Sequence, residues 1–244
     1  MSKVFEKIKQ HQIQGKKSLA ILLDPDDMDF DGLKDKVRLA NEVKIDFLFV
    51  GGSLITQDCL DQTLDIIKSN SSIPVVIFPG SAQQINKKAD AILLLSLISG
   101  RNPEMLIGAH VAAAPALKAS GLEIISTGYL LIDSGKPTTA SYVSNTLPLP
   151  HNKPSIAAAT ALAGEQLGMK LTFLDGGSGA ERPVSASMVK AVSKLVDSPI
   201  IVGGGVSSPE KAKELFAAGA DLIVIGTAIE EDPIAISAFA AARD

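Results

Sequence analysis

Tryptophan is absent from this chain, and cysteine occurs once, at Cys59. A single cysteine excludes an intrachain disulfide framework and a cysteine zinc cluster. Cys59 lies in a helical stretch and reads as a packed thiol rather than a nucleophile. Without tryptophan, no indole can plug an apolar channel. No apolar run approaches the ~18 residues of a membrane span. The N-terminus, MSKVFEKIKQ, is charged and lacks the apolar core of a secretory signal, so the cytoplasm is the expected setting. The net charge is only −4, with Lys and Arg scattered along the chain. That leaves no electrostatic footprint for nucleic acid, and a small-molecule ligand is expected instead.

What is present is a globular composition, 46% hydrophobic and 20% charged over 244 residues. This length suits one large α/β domain, 1–244, with a sizeable core. Its organisation is clearest in the last third. Ile200 to Val202 form an apolar run stopped by Gly203, Gly204 and Gly205, and a helical stretch opening on Pro209 follows. After Gly219, Leu222 to Ile225 repeat the pattern and end in Gly226 and Thr227. Two consecutive strand, glycine and helix units can turn bare backbone N–H groups and helix N-termini toward one anion. Ordinary turn chemistry is the alternative for such glycines, but a triple glycine is costly in backbone entropy, and phosphate binding is the stronger reading.

Earlier in the chain the same alternation holds. A polar helix over Lys3 to Gln14 closes the bottom of the domain. Apolar runs follow at Ser18 to Leu23, Phe47 to Val50, Val75 to Phe78, Ala91 to Leu95, Ile124 to Leu131 and Leu171 to Leu174, with helical segments between them. The third helical segment, Ser81 to Lys88, is too short for a full crossover helix. Asp133 to Lys153 is one long irregular stretch, of the kind that is functional or disordered inside a compact domain. The fold expected is a single (β/α)8 barrel of the TIM type with an irregular, short third helical segment. An open doubly wound sheet is the alternative, but it carries its glycine fingerprint after the first strand. Here the first strand ends in acids and the last in glycines.

In a barrel, residues just after each strand share one face, so Asp24, Ser53, Asp175, Ser178, Gly204 and Gly226 should converge. The turn Asp24-Pro25-Asp26-Asp27 supplies hard oxygens that suit Mg²⁺, above all when a phosphorylated substrate completes the shell. Asp175, in Phe173-Leu174-Asp175-Gly176-Gly177-Ser178-Gly179, could accept a proton from a substrate hydroxyl beside an anion held by backbone N–H groups and Ser178. His11, His110 and His151 all lie away from strand ends, which argues against histidine catalysis.

Taken together, LLDPDD at strand one, FVGGS at strand two, ISTGYLLIDSG at strand five, TFLDGGSGA at strand six, IIVGGGVSSPEKAKE at strand seven and GADLIVIGTAIEED at strand eight resemble the geranylgeranylglyceryl phosphate synthase family, which includes the bacterial heptaprenylglyceryl phosphate synthases. The resemblance spans about Leu19 to Asp232. It implies a Mg²⁺-dependent prenyltransferase of the phosphoglycerol geranylgeranyltransferase type, joining sn-glycerol 1-phosphate to a long prenyl diphosphate through an ether bond. By that resemblance Asp24 and Ser53 hold magnesium. Phe173, Leu174, Asp175, Gly176, Gly177, Ser178, Gly179, Gly203, Gly204, Gly205, Gly226 and Thr227 bind glycerol 1-phosphate. Tyr129 and Asp175 are the catalytic pair. The chain is expected to be a homo-oligomer, with transient membrane contact for product release. One departure is that the family commonly carries glutamate where this chain has Asp175, a carboxylate retracted by one methylene. Val50, Phe78, Leu97, Ile98 and the 133–153 stretch are candidate walls for a prenyl trough. Two alternatives remain: a phosphosugar isomerase or lyase on a phosphate-binding barrel, and a barrel that binds phosphate ligands without catalysis.

Overall fold

The computed structural model describes residues 4–27, 30–54, 56, 59–81 and 84–244. Eight parallel strands close into a barrel in chain order: β1 (Ser18–Leu23), β2 (Phe47–Val50), β3 (Val75–Ile77), β4 (Ala91–Leu97), β5 (Glu123–Leu131), β6 (Leu171–Asp175), β7 (Ile200–Gly203) and β8 (Leu222–Ile225). Closure is made where Ser18 to Ile21 pair with Leu222 to Ile225. The strands read as nearly continuous apolar runs because both faces are covered. On β2, Phe47 and Phe49 fill the barrel interior, whereas Leu48 and Val50 pack outward against helices.

The outer layer comprises α2 (Phe30–Glu42), α3 (Leu60–Asn70), α4 (Ala109–Ser120), α6 (Pro154–Gln166), α7 (Ala186–Ser193), α8 (Pro209–Ala218) and α10 (Ala235–Arg243), with the short α5 (Thr139–Ser144) and α9 (Thr227–Glu231) over the mouth. Helix α1 (Val4–Ile13) lies across the opposite end, as its polarity suggests, and inserts Val4 and Ile8 into the interior core. No helix among the described residues is long and apolar enough to cross a membrane.

Three local features depart from regular (β/α)8 geometry. Among the described residues between Ile77 and Ala91 there is no crossover helix, in line with the shortness of that segment. Ahead of α4 the chain makes a wide π-type turn over Glu104–Gly108, a rare form that is frequent at functional sites. Within the 133–153 stretch, α5 is more ordered than the hydroxyl-rich sequence suggests. Its start is set by a capping box, in which the Thr138 hydroxyl accepts from the Ser141 N–H and the Ser141 side chain accepts from the Thr138 N–H.

The bottom of the barrel is fastened by a buried carboxylate. Asp46 Oδ2 accepts from the Leu19 N–H at 3.0 Å and from Arg243 Nη1 at 2.9 Å. Lys16 Nζ lies 3.6 Å from its other oxygen. Side chains of Asp46 and Arg243 are only 5% and 8% exposed, and Arg243 Nε also pairs with Asp244 Oδ1 at 2.9 Å, so removing Asp46 strips one buried charged hydrogen bond from Arg243 and leaves the Leu19 N–H without its acceptor. Asp46→Ala is therefore expected to lower stability by about 1.5–3 kcal/mol, read as the urea-unfolding midpoint by circular dichroism. A loss of about 1 kcal/mol or less would mark the cluster as no stronger than a surface pair.

Candidate active site

All eight strands direct their C-terminal ends to one face, and there a cavity of about 980 Å³ opens. That is the upper end of the usual range for small-molecule sites. Asp24, Ser53, Tyr129, Phe173, Asp175, Ser178, Gly179, Gly203, Gly204, Gly205, Gly226 and Thr227 all line it. Three expected residues do not. Leu174 is fully buried and packs outward among the helices, because alternation along β6 sends Phe173 and Asp175 inward instead. Gly176 and Gly177 lie behind the lining, where the Gly177 N–H is turned onto Asp175.

The centre of the cavity is a satisfied but buried carboxylate. Asp175 Oδ2 accepts from the Tyr129 hydroxyl at 2.6 Å, and Oδ1 accepts from the Gly177 N–H at 2.7 Å. Burial pushes the Asp175 carboxyl above its usual range, and the Tyr129 and Gly177 hydrogen bonds pull it partly back. For Tyr129, burial and then the Asp175 charge push the phenol well above its usual value, so the tyrosine stays the donor. Each carboxylate oxygen keeps a further lone pair for a substrate hydroxyl. The neighbouring glycine loop permits this packing: Gly204 has φ +76°, and a Cβ there would meet Asp175 Oδ1 at 2.5 Å. The triple glycine is thus required by close backbone approach as well as by the turn.

Across the mouth, the ends of β1, β2 and β3 form the second polar wall. A Cβ on Gly52 would meet Asp24 Oδ2 at 2.5 Å, so Asp24 lies directly against the backbone that carries Ser53. Gln84, 3% exposed, clips this region: its Nε2 donates to the Gly52 carbonyl at 3.0 Å and its Oε1 accepts from the Gly80 N–H at 3.2 Å. Nothing in the sequence pattern singles out Gln84, whose role follows from long-range packing. A carboxylate and a hydroxyl on one wall are a donor set that fits Mg²⁺, which takes one or two protein oxygens and completes its shell with water and phosphate. Among the described residues no group of three or more His, Cys, Asp or Glu could hold a metal by itself.

From this polar mouth the cavity runs into an apolar trough. Phe78, Tyr129 and Phe173 stand together, with ring centroids 5.1–6.1 Å apart. Beyond them Ile85, Ile92, Leu94, Ala109, Ala113 and Leu117 continue the lining. Ile92 and Leu94 point outward from β4 and would lie under a third crossover helix in a regular barrel. Without one, they form a floor. Of the wall residues expected, Phe78 and Leu97 line the cavity. Val50 and Ile98 do not, since both pack in the outer layer.

The histidines divide. His151 Nε2 lies 3.1 Å from the Pro183 carbonyl and His11 Nδ1 lies 2.8 Å from Ser18 Oγ at the barrel bottom; neither lines the cavity. His110 does line it, with Nε2 3.1 Å from Ser96 Oγ. Its position one turn into the fourth helical segment concealed that placement. Lys136, Glu230, Glu231 and Asp232 complete the charged rim, and only topology reveals that they share it.

Residues 11–243 match the PcrB family. The chain belongs to the PcrB family. Among curated members it is 54% identical over 226 residues to the geranylgeranylglyceryl phosphate synthase of Spirosoma linguale, covering 93% of this chain and 91% of that protein. It is 43% identical over 227 residues to the synthase of the same name from Pyrococcus horikoshii, covering 93% and 89%. The crystal structure of (S)-3-O-geranylgeranylglyceryl phosphate synthase from Thermoplasma acidophilum, in complex with its substrate sn-glycerol-1-phosphate, superposes with a TM-score of 0.93 at 33% identity, covering 99% of this chain and 98% of that one. The barrel geometry here is therefore shared with PcrB relatives at the level of the whole chain.

The Tyr129 to Asp175 bond has a measurable sign. Removing the phenol leaves burial less opposed, so the Asp175 carboxyl must rise further. In Tyr129→Phe the Asp175 titration midpoint, followed by carbon NMR of the carboxyl, is expected above that of the parent protein. A midpoint at or below it would mean that the tyrosine does not stabilise the charged form.

Proposed function

We infer that this chain is a prenyltransferase that joins the 3-hydroxyl of sn-glycerol 1-phosphate to a long prenyl diphosphate through an ether bond, releasing diphosphate. The observation that carries this reading is the composition of the cavity at the strand C-termini. A buried carboxylate and glycine loops lie at one end and a long apolar trough leads from it, in a chain with PcrB-family relatives of that activity. Geranylgeranyl diphosphate is the donor we propose, following the name the relatives carry.

In this reading the backbone of Gly203 to Gly205, with Gly226, Thr227 and Ser178, would hold the glycerol phosphate. Asp175, oriented by Tyr129 and Gly177, would hold and take the proton of the 3-hydroxyl. The glycerol oxygen forms a bond to the first prenyl carbon as the bond from that carbon to the diphosphate oxygen breaks, and the diphosphate leaves with the electron pair. The rings of Phe78, Tyr129 and Phe173 border the space where allylic positive charge develops, and ring faces favour such charge. Asp24 and Ser53 would hold Mg²⁺, which supplies charge neutralisation to the leaving diphosphate when bound. The trough over β4 would shelter the prenyl tail from water. A cytoplasmic homo-oligomer with transient membrane contact for product release belongs to the same reading.

Incubation with Mg²⁺, geranylgeranyl diphosphate and either glycerol phosphate isomer is expected to give ether product, by mass spectrometry, from the 1-phosphate and not the 3-phosphate. EDTA should abolish it. Asp175→Asn is expected to lower turnover about 100-fold or more, the usual range for loss of a general base, with glycerol 1-phosphate binding nearly unchanged. Binding of prenyl diphosphates without product from either isomer would favour the non-catalytic barrel.

A further inference from the structure

The charges that line the cavity are unevenly distributed. Asp24, Asp175, Glu230, Glu231 and Asp232 contribute carboxylates, and Lys136 is the one lysine or arginine among the described lining residues. Both ligands of the proposed reaction are polyanions, so the rim as a whole repels them and Lys136 is the side chain able to oppose that repulsion.

Its surroundings are tied down while its ammonium is not. Asp133 Oδ1 accepts from the Gly135 N–H at 3.0 Å, and Asp133 Oδ2 lies 3.6 Å from Arg182 Nη2. The Ser134 carbonyl accepts from the Arg182 N–H at 3.1 Å, and the Ser134 hydroxyl donates to the Lys136 carbonyl at 3.3 Å. Thr138 is fixed by its capping box and packs against Gly177, where a Cβ would meet Thr138 Oγ1 at 2.7 Å. The turn is thus pinned to the β6 loop on both sides of Lys136. The Lys136 ammonium has no ion-pair partner among the described residues. A cation carried on a pinned turn, beside the segment that bears Asp175 and Ser178, is placed to meet an anion there.

We propose that Lys136 is a substrate-binding residue whose ammonium contacts the phosphate of glycerol 1-phosphate. This deepens the prenyltransferase reading and rests on it. A phosphate monoester and a prenyl diphosphate share the chemistry an ammonium recognises, and the pinning of the turn to the β6 loop selects the monoester.

The test is direct binding by calorimetry, which requires no turnover. The parent protein, Lys136→Gln, Lys136→Arg and Lys136→Glu are each titrated with sn-glycerol 1-phosphate and, separately, with inorganic diphosphate in the presence of Mg²⁺. Lys136→Gln is expected to weaken glycerol 1-phosphate about tenfold, as for loss of one charged hydrogen bond, and to flatten the salt dependence of its binding. Lys136→Arg should restore most of the affinity, and Lys136→Glu should lose more than Lys136→Gln. Thermal midpoints should not move, because the side chain is exposed and bonds nothing in the fold. Unchanged glycerol 1-phosphate affinity in Lys136→Gln would overturn the assignment, and so would a loss confined to diphosphate. Parent protein that binds neither ligand would overturn the prenyltransferase reading as well, whereas parent protein that binds both, with Lys136→Gln unchanged, would overturn this inference alone.

Discussion

A carboxylate buried at the end of a barrel strand constrains everything around it. Asp175 is 6% exposed, and a desolvated carboxylate persists only where donors replace water. Two such donors are present, and each dictates a neighbour. Tyr129 must lie near the C-terminal end of β5, directly beside β6, a register set by the pairing of Tyr129 with Phe173. Gly177 must turn its N–H back onto Asp175 with φ +84°, a conformation unfavourable to residues with a Cβ. Space for that turn then requires Gly204, just after the next strand. Four residues from β5, β6 and the loops after β6 and β7 are thus coupled through one side chain, and the mouth of the barrel is built outward from them.

The second constraint is an omission. A regular (β/α)8 barrel covers the outer face of each strand with a helix, and here the connection from β3 to β4 carries none among its described residues. Ile92 and Leu94 consequently line the cavity as well as packing against the outer-layer core that includes Ala113 and Leu117. Helix α4, which follows the wide turn, buries only Ala113 and Leu117, and both of these also line the trough. A polar chamber and an apolar slot are therefore continuous, which a fully wrapped barrel would not allow.

Much of this arrangement is legible in the amino-acid sequence. Apolar runs ending in glycine or acid specify strands whose ends converge, and the placement of Asp24, Ser53, Asp175 and the glycines of β7 and β8 follows from closure alone. Periodicity was also sufficient to mark residues 81–88 as too short for a crossover helix. What stayed hidden depends on side-chain direction and on contacts distant in sequence. Leu174 and Val50 fall in the right segments but on the wrong face, since alternation cannot be phased from a run that is apolar throughout. Gln84 and Lys136 sit in stretches without periodicity, and only the folded topology brings them to the mouth. Helix α5 was masked because its capping box, Thr138 and Ser141, uses residue types that equally signal loops.

Charge balance ties these features to chemistry. Five carboxylates and one lysine face the cavity, so a phosphate entering it meets net repulsion unless backbone N–H groups and a cation compensate. The glycine loops would provide the first kind of compensation without any charged side chain, at the end where Asp175 stands. A carboxylate and a phosphate could share that end because the N–H groups of a glycine loop are fixed dipoles, already oriented before either anion is present. Asp24 and Ser53 lie on the opposite wall, where a carboxylate and a hydroxyl would be available to a divalent cation carrying the second anion of the proposed reaction. In the proposed reaction, holding the two anions on separate walls, one by dipoles and one by an ion, would reduce their mutual repulsion across the cavity. It would also leave the buried Asp175 carboxylate between them, facing the hydroxyl it is proposed to deprotonate.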